Sequence, residues 1–137
     1  MLFETKLKVE KTMPSGETKE VKEHYILDAE KFGEAEKIAY ELYPNNKTCD
    51  VFIVMRSDIR EIINQKEEDK PFFKATVIDV FVDDLGKEKE TKYNMLVCAE
   101  NLVEATNLVN EYLKQGYDLR LDGIKRVKIV DYIRYAG

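Results

Sequence analysis

From Phe3 onward apolar and charged positions alternate: Phe3, Thr5, Leu7 and Val9 are separated by Glu4, Lys6 and Lys8, and Glu10 follows. A period of two marks a strand with one buried and one wet face. Met13-Pro14-Ser15-Gly16 reads as a turn, because Pro presets φ and Gly tolerates positive φ. A second strand follows, with Val21, Tyr25 and Leu27 on one face and Lys22 and His24 on the other. The period then becomes helical. Phe32, Ala35, Ile38, Ala39 and Leu42 fall on one stripe, and Glu30 and Glu34 lie where the helix dipole favours carboxylates. Pro44-Asn45-Asn46 predicts the helix stop. A strand from Cys49 to Met55, a bend or bulge at Ser57-Asp58 and a further strand over Ile59–Ile63 complete the set.

The same order returns at an offset of 70 residues, without a gap. Phe3 falls on Phe73, Gly16 on Gly86, Ala35 on Ala105, Glu34 on Glu104, Arg56 on Arg126 and Ile63 on Ile133. Phe72–Val82 predicts a first strand, apolar on both faces towards its end and therefore covered on both sides. Asp83-Asp84-Leu85-Gly86 predicts the turn, and Tyr93, Met95 and Val97 line the second strand. Leu102, Ala105, Leu108, Val109, Tyr112 and Leu113 form the helix stripe, with Gly116 as its stop. Tyr117–Tyr135 supplies the last strand or strands. Ala at both stripe centres predicts close docking of both helices, since a larger side chain there would overpack by about 1–3 kcal/mol.

These patterns predict an α+β fold: a tandem duplication of a β-β-α-β unit, with antiparallel sheet, two packed helices and an internal pseudo-two-fold. Residues 1–137 read as a single domain of two repeats, 1–66 and 71–137, joined by a polar linker over 64–71 (NQKEEDKP). At 137 residues, 44% hydrophobic and 36% charged, the chain is globular rather than disordered. No apolar run approaches a membrane span and the start lacks a basic-then-apolar signal layout, so a cytoplasmic location is expected. Cys49 and Cys98 belong to no ligand cluster and read as buried free thiols.

Candidate chemistry is sparse. His24 is the only histidine; on the polar strand face, with no local partner, it reads as an exposed side chain. One His and two scattered Cys do not make a metal site, and Glu67-Glu68-Asp69 and Asp83-Asp84 lack calcium-loop spacing. No phosphate-binding glycine pattern and no nucleophile–base pair is present, so no cofactor, no metal and no catalytic residue is assigned. Tyr117, Arg120, Lys125, Arg126, Lys128, Tyr132, Arg134 and Tyr135 interleave cations with aromatics, as a single-stranded nucleic acid requires. Asp118, Asp122 and Asp131 dilute that run, and the net charge of −5 disfavours binding that rests on phosphate neutralisation. Arg56 and Arg126 are repeat-equivalent; they either grip an anionic, nucleotide-like ligand between repeats or pair with carboxylates such as Glu34 and Glu104.

Phe3-Glu4-Thr5-Lys6, Lys11-Thr12, Leu27-Asp28-Ala29, Glu34-Ala35-Glu36, Phe73-Lys74 and Met95-Leu96-Val97 together resemble a family of small proteins from gut bacteria, their prophages and their phages, domain of unknown function 4494. The resemblance covers nearly the whole chain and implies a phage or mobile-element origin; it transfers no activity. The leading expectation is a non-catalytic interaction protein that binds a protein partner or itself, exposed edge strands being suited to strand addition. Single-stranded nucleic-acid binding and sequestration of a small anion stand as the alternatives.

Overall fold

In the computed structural model, residues 1–43, 49–114 and 119–134 are described, the side chains of Cys49 and Phe52 excepted. Pro44-Asn45-Asn46, Gly116, Tyr117, Asp118 and Tyr135 lie outside the described residues. The elements run β1 (Leu2–Thr12), β2 (Thr18–Asp28), α1 (Phe32–Glu41), β3 (Cys49–Arg56), β4 (Ile59–Ile62), β5 (Phe72–Val82), β6 (Glu88–Cys98), α2 (Leu102–Leu113), β7 (Leu119–Val127) and β8 (Asp131–Arg134). The fold is α+β.

The antiparallel sheet expected from the alternation is two four-stranded sheets, ordered β3-β1-β2-β8 and β4-β6-β5-β7. Each is antiparallel except at one edge, where β8 runs parallel to β2 and β4 runs parallel to β6. Alternation fixes which face a strand buries but carries no information on the direction of its neighbour. The chain forms two compact units, one of Met1–Ser57 with Lys128–Gly137 and one of Asp58–Val127. Ser57-Asp58, read as a bend, is where the chain leaves the first sheet for the second.

In the first unit β1 and β2 form a hairpin in register from Leu2↔Asp28 to Thr12↔Thr18. Gly16, at φ +85°, closes its turn by donating to the Met13 carbonyl at 2.8 Å. β3 pairs with β1 from Phe3↔Arg56 to Val9↔Cys49, with a bulge opposite Lys6/Leu7. Helix α1 covers this sheet through Ala35, Ile38 and Ala39, packed against Phe3, Leu7, Val9, Tyr25 and Leu27. Phe32 opens the predicted stripe yet is 49% exposed, because in the first turn it meets only the edge of the core, its ring edge-on to Phe3.

The second unit is built alike. β5 and β6 pair from Phe72↔Cys98 to Val82↔Glu88, and β7 pairs with β5 from Phe72↔Val127 to Asp79↔Leu119, bulged at Thr76/Val77. Helix α2 is capped by Asn101, whose Oδ1 accepts from the Glu104 amide at 2.9 Å, and it buries Ala105, Val109 and Leu113. Both Ala35 and Ala105 are fully buried, as close docking requires. Cover on both sides of β5 holds through Val77 and Ile78 but fails at its end, where Phe81 and Val82 are exposed. Among the described residues, pairing with β7 stops at Asp79, so the hairpin projects beyond the third strand.

Candidate interaction surface

The stretch that reads as one last basic strand is two strands in different sheets. Arg120, Lys125 and Arg126 lie on β7 in the second unit; Lys128 follows outside any strand, and Tyr132 and Arg134 lie on β8 in the first. Arg56 ends β3 in the first unit. It faces Phe3 across the ladder as Arg126 faces Phe73, so the repeat-equivalent arginines hold equivalent register positions. Lys125 and Arg126, adjacent on one strand, point to opposite faces and do not form one patch. The Arg120 guanidinium is 3.1 Å from Glu90 Oε1, and Lys92 offsets Asp122 at 3.6 Å. Tyr132 donates its hydroxyl to Asp28 Oδ2 at 3.0 Å and accepts from Arg134 Nε at 3.0 Å, with the Arg134 guanidinium 5.8 Å from its ring centroid. That hydroxyl network joins β8 to the end of β2. Glu104 lies 3.8 Å from Lys70, and Glu34 Oε2 is buried without a hydrogen-bond partner among the described residues.

His24 departs from its expected exposure. Its Nε2 lies 2.7 Å from Glu4 Oε1, and Glu4 Oε2 accepts from Ser57 Oγ at 2.9 Å. The first follows from the hairpin register, which sets His24 opposite Lys6 and diagonal to Glu4, and the second from the end of β3, where the Ser57 amide donates to the Leu2 carbonyl at 2.9 Å. In this arrangement the serine hydroxyl meets the carboxylate and not the imidazole, so the trio ties β1, β2 and the end of β3 together rather than activating a nucleophile. The second unit has an ion-paired counterpart, with Asp58 Oδ2 accepting from Lys74 Nζ at 2.7 Å and Asn94 Nδ2 at 3.2 Å.

A larger polar group caps each core. Glu23, opposite Leu7 on the inward face and only 7% exposed, accepts from Lys11 Nζ at 2.9 Å, from Tyr25 Oη at 3.1 Å and from Tyr43 Oη. Burial pushes its carboxyl up, but the bonds from Tyr43, Lys11 and Tyr25 outweigh it and hold the pKa below the ordinary 4.5. Burial, with the bond between the two tyrosines and the Glu23 charge, raises the Tyr25 phenol. In the second unit Tyr112 Oη donates to Glu61, and the Arg60 guanidinium lies 4.7 Å from the Tyr93 ring centroid. The bond to Glu61, then burial, pushes the Tyr112 phenol up to about 12. These are satisfied, structural networks; the inward register of Glu23 was their one sequence signal.

The edges of the sheets differ in kind. β7 is an edge strand guarded by Arg120, Asp122, Lys125 and Arg126. β3 is also an edge, paired only with β1 among the described residues, yet it carries no charge from Val51 to Met55. Val51 and Val54 face the core, while Met55 is 44% exposed. Asp50 and Arg56 bound this uncharged run, and an apolar stretch on an edge strand is a site of strand addition. On the second unit an open groove of about 430 Å³ is lined by Val80, Phe81, Val82, Glu88 and Arg120.

Among the described residues, no group of three or more His, Cys, Asp or Glu side chains is placed to hold a metal ion, and no helix is long and apolar enough to cross a membrane. Cys98 is a buried free thiol, its Sγ accepting from the Glu67 amide at 3.3 Å. The family model described as domain of unknown function (DUF4494) matches residues 1–135. No curated protein and no solved structure matches the chain. The chain belongs to that family.

Proposed function

For a member of a family whose description carries no activity, we propose a non-catalytic interaction protein of phage or prophage origin, acting in the bacterial cytoplasm through protein contact or self-association. The observation that carries this reading is β3: an edge strand with an uncharged stretch over Val51–Met55 whose free side has no strand partner among the described residues. Backbone groups on such an edge recruit a further strand, and the apolar side chains add burial. Protein contact is preferred to nucleic acid because Arg120 is engaged by Glu90 and Tyr132 by Asp28, while Lys125 and Arg126 lie on opposite faces. The duplication of one β-β-α-β unit belongs to the same proposal. Its support is the pairing pattern, in which Phe3↔Leu27 and Phe3↔Arg56 recur as Phe73↔Val97 and Phe73↔Arg126.

The test is sedimentation equilibrium of the full chain, together with capture of partners by a tagged copy, for wild type and Met55→Lys. An associated species or a captured partner that the new charge on the edge abolishes is the expected result. A wild-type chain that stays monomeric and retains nothing overturns the reading; an association indifferent to Met55→Lys overturns β3 as its contact edge.

A further inference from the structure

Each sheet is completed by a short parallel strand, and the two strands share a pattern. Ile59-Arg60-Glu61-Ile62-Ile63 lies beside β6, with Glu61↔Met95 and Ile62↔Leu96. Ile129-Val130-Asp131-Tyr132-Ile133 lies beside β2, with Tyr25↔Asp131, Ile26↔Tyr132 and Leu27↔Ile133. In both segments the first isoleucine is buried (Ile59 4% and Ile129 6% exposed) and the last packs on the core of its own unit. The acid two places after the first isoleucine is common to both. Backbone bonds hold the register: the Val130 amide donates to the His24 carbonyl at 2.7 Å, and the Ile63 amide donates to the Leu96 carbonyl at 2.8 Å. The edge of the second hairpin strand is thus an acceptor for Ile-x-acid-x-Ile in parallel orientation.

The two acceptors differ in how their occupants are tethered. β4 belongs to the continuous stretch Asp58–Val127 of its own unit. β8 reaches the first unit only after the chain has left at Ser57 and built all of Asp58–Val127. β8 is the last strand to reach its sheet and makes only four residue pairings with β2, far fewer than the hairpin strands β1 and β2 make with each other, so little of the sheet is lost when it leaves. We propose that the β2 edge at Tyr25–Asp28 is an exchangeable strand acceptor, and that its occupant in trans is the Ile129–Arg134 segment of a second copy of this chain. Reciprocal exchange between two copies reproduces every contact already present, including Tyr132 to Asp28, and needs no new interface. The proposal rests on the self-association reading and gives it a second site, on the opposite side of the sheet from the β3 edge, with a second copy as partner.

The experiment uses the full chain carrying Ile133→Asp, whose own segment no longer docks, titrated with a fluorescein-labelled peptide of residues 127–134 and read by fluorescence polarisation. Saturable binding is expected, weakened at least about 30-fold when the peptide itself carries Ile129→Ala and Ile133→Ala. Light scattering of the Ile133→Asp chain mixed with wild type is expected to show a two-chain species that excess unlabelled peptide dissolves. Should Ile133→Asp fail to fold by circular dichroism, Ile133→Ala replaces it, with the same expectations. A folded variant that binds no peptide and forms no mixed species overturns the proposal. If wild type still associates in a Met55-sensitive way, only the exchange falls; if no association is seen at all, the self-association reading falls with it.

Discussion

Replacing Glu23 by Leu tests the polar cap of the first unit. The substitution removes the acceptor shared by Tyr25 Oη, Tyr43 Oη and Lys11 Nζ. Tyr25 is 8% exposed, so its buried hydroxyl loses the carboxylate and keeps only the bond to Tyr43, at a cost within about 1–3 kcal/mol. Tyr43 is half-buried and water reaches it, so its loss falls at the low end of that range. Lys11 is 45% exposed at its side chain and adds little. The sum is about 2–4 kcal/mol, a large share of the roughly 5–15 kcal/mol of a typical domain. In urea at neutral pH it moves the midpoint by about 1–3 M at ordinary m-values. Adding Tyr25→Phe and Tyr43→Phe to Glu23→Leu removes the hydroxyls that have lost their carboxylate and recovers most of the loss. Acid gives an independent reading. The Glu23 pKa is lowered in the fold, so its contribution is present above the ordinary value of 4.5 and is lost as pH falls through the lowered native value. The wild-type chain therefore loses stability in that window, and Glu23→Leu loses this part of the slope. A Glu23→Leu chain as stable as wild type, or a triple variant weaker than the single one, refutes the reasoning.

At the alkaline end Tyr112 plays the opposite part: raised to about 12, it contributes stability fully present below pH 10 and lost as pH climbs through its native value. Tyrosinate absorbance should show several phenols titrating late in wild type, and Tyr112→Phe should remove one of them together with its share of the alkaline loss. Gly86 sits at φ +77° with open space around the Cβ position, so Gly86→Ala costs backbone strain alone, about 1 kcal/mol by thermal unfolding; an unchanged melting temperature would contradict the turn geometry. Fluorescence anisotropy with a labelled single-stranded oligonucleotide at low salt is expected to show no binding that Arg126→Ala abolishes; a salt-dependent complex lost in that variant would revive the nucleic-acid alternative.

Much of the fold was legible because its signals are local. Alternation in Phe3–Glu10, the Gly16 and Gly86 turns and the Ala-centred stripes depend only on neighbouring residues, and each appears where its period places it. Strand partners were not legible, since pairing is a long-range choice. Nothing in Ile59–Ile62 says that it joins β6, or in Asp131–Arg134 that it joins β2. That one unknown also cut the basic run: Arg120 and Arg134 look contiguous in sequence and belong to different sheets. His24 was misread for a related reason, because its partner Glu4, itself held by Ser57 at the far end of β3, is set by register and is distant in sequence. Glu23 falls by period on the face of Val21, Tyr25 and Leu27, but its partners Lys11 and Tyr43 come from other elements and were not legible.

The late arrival of β8 also orders events at the ribosome. Asp58–Val127 is continuous, so its sheet has every strand once Val127 has been polymerised, whereas the earlier-made Met1–Ser57 still lacks the strand that lies against β2. The half translated first is therefore finished last. A prematurely terminated product would carry one closed unit beside one with an unfilled backbone ladder, a difference that proteases and chaperones can read.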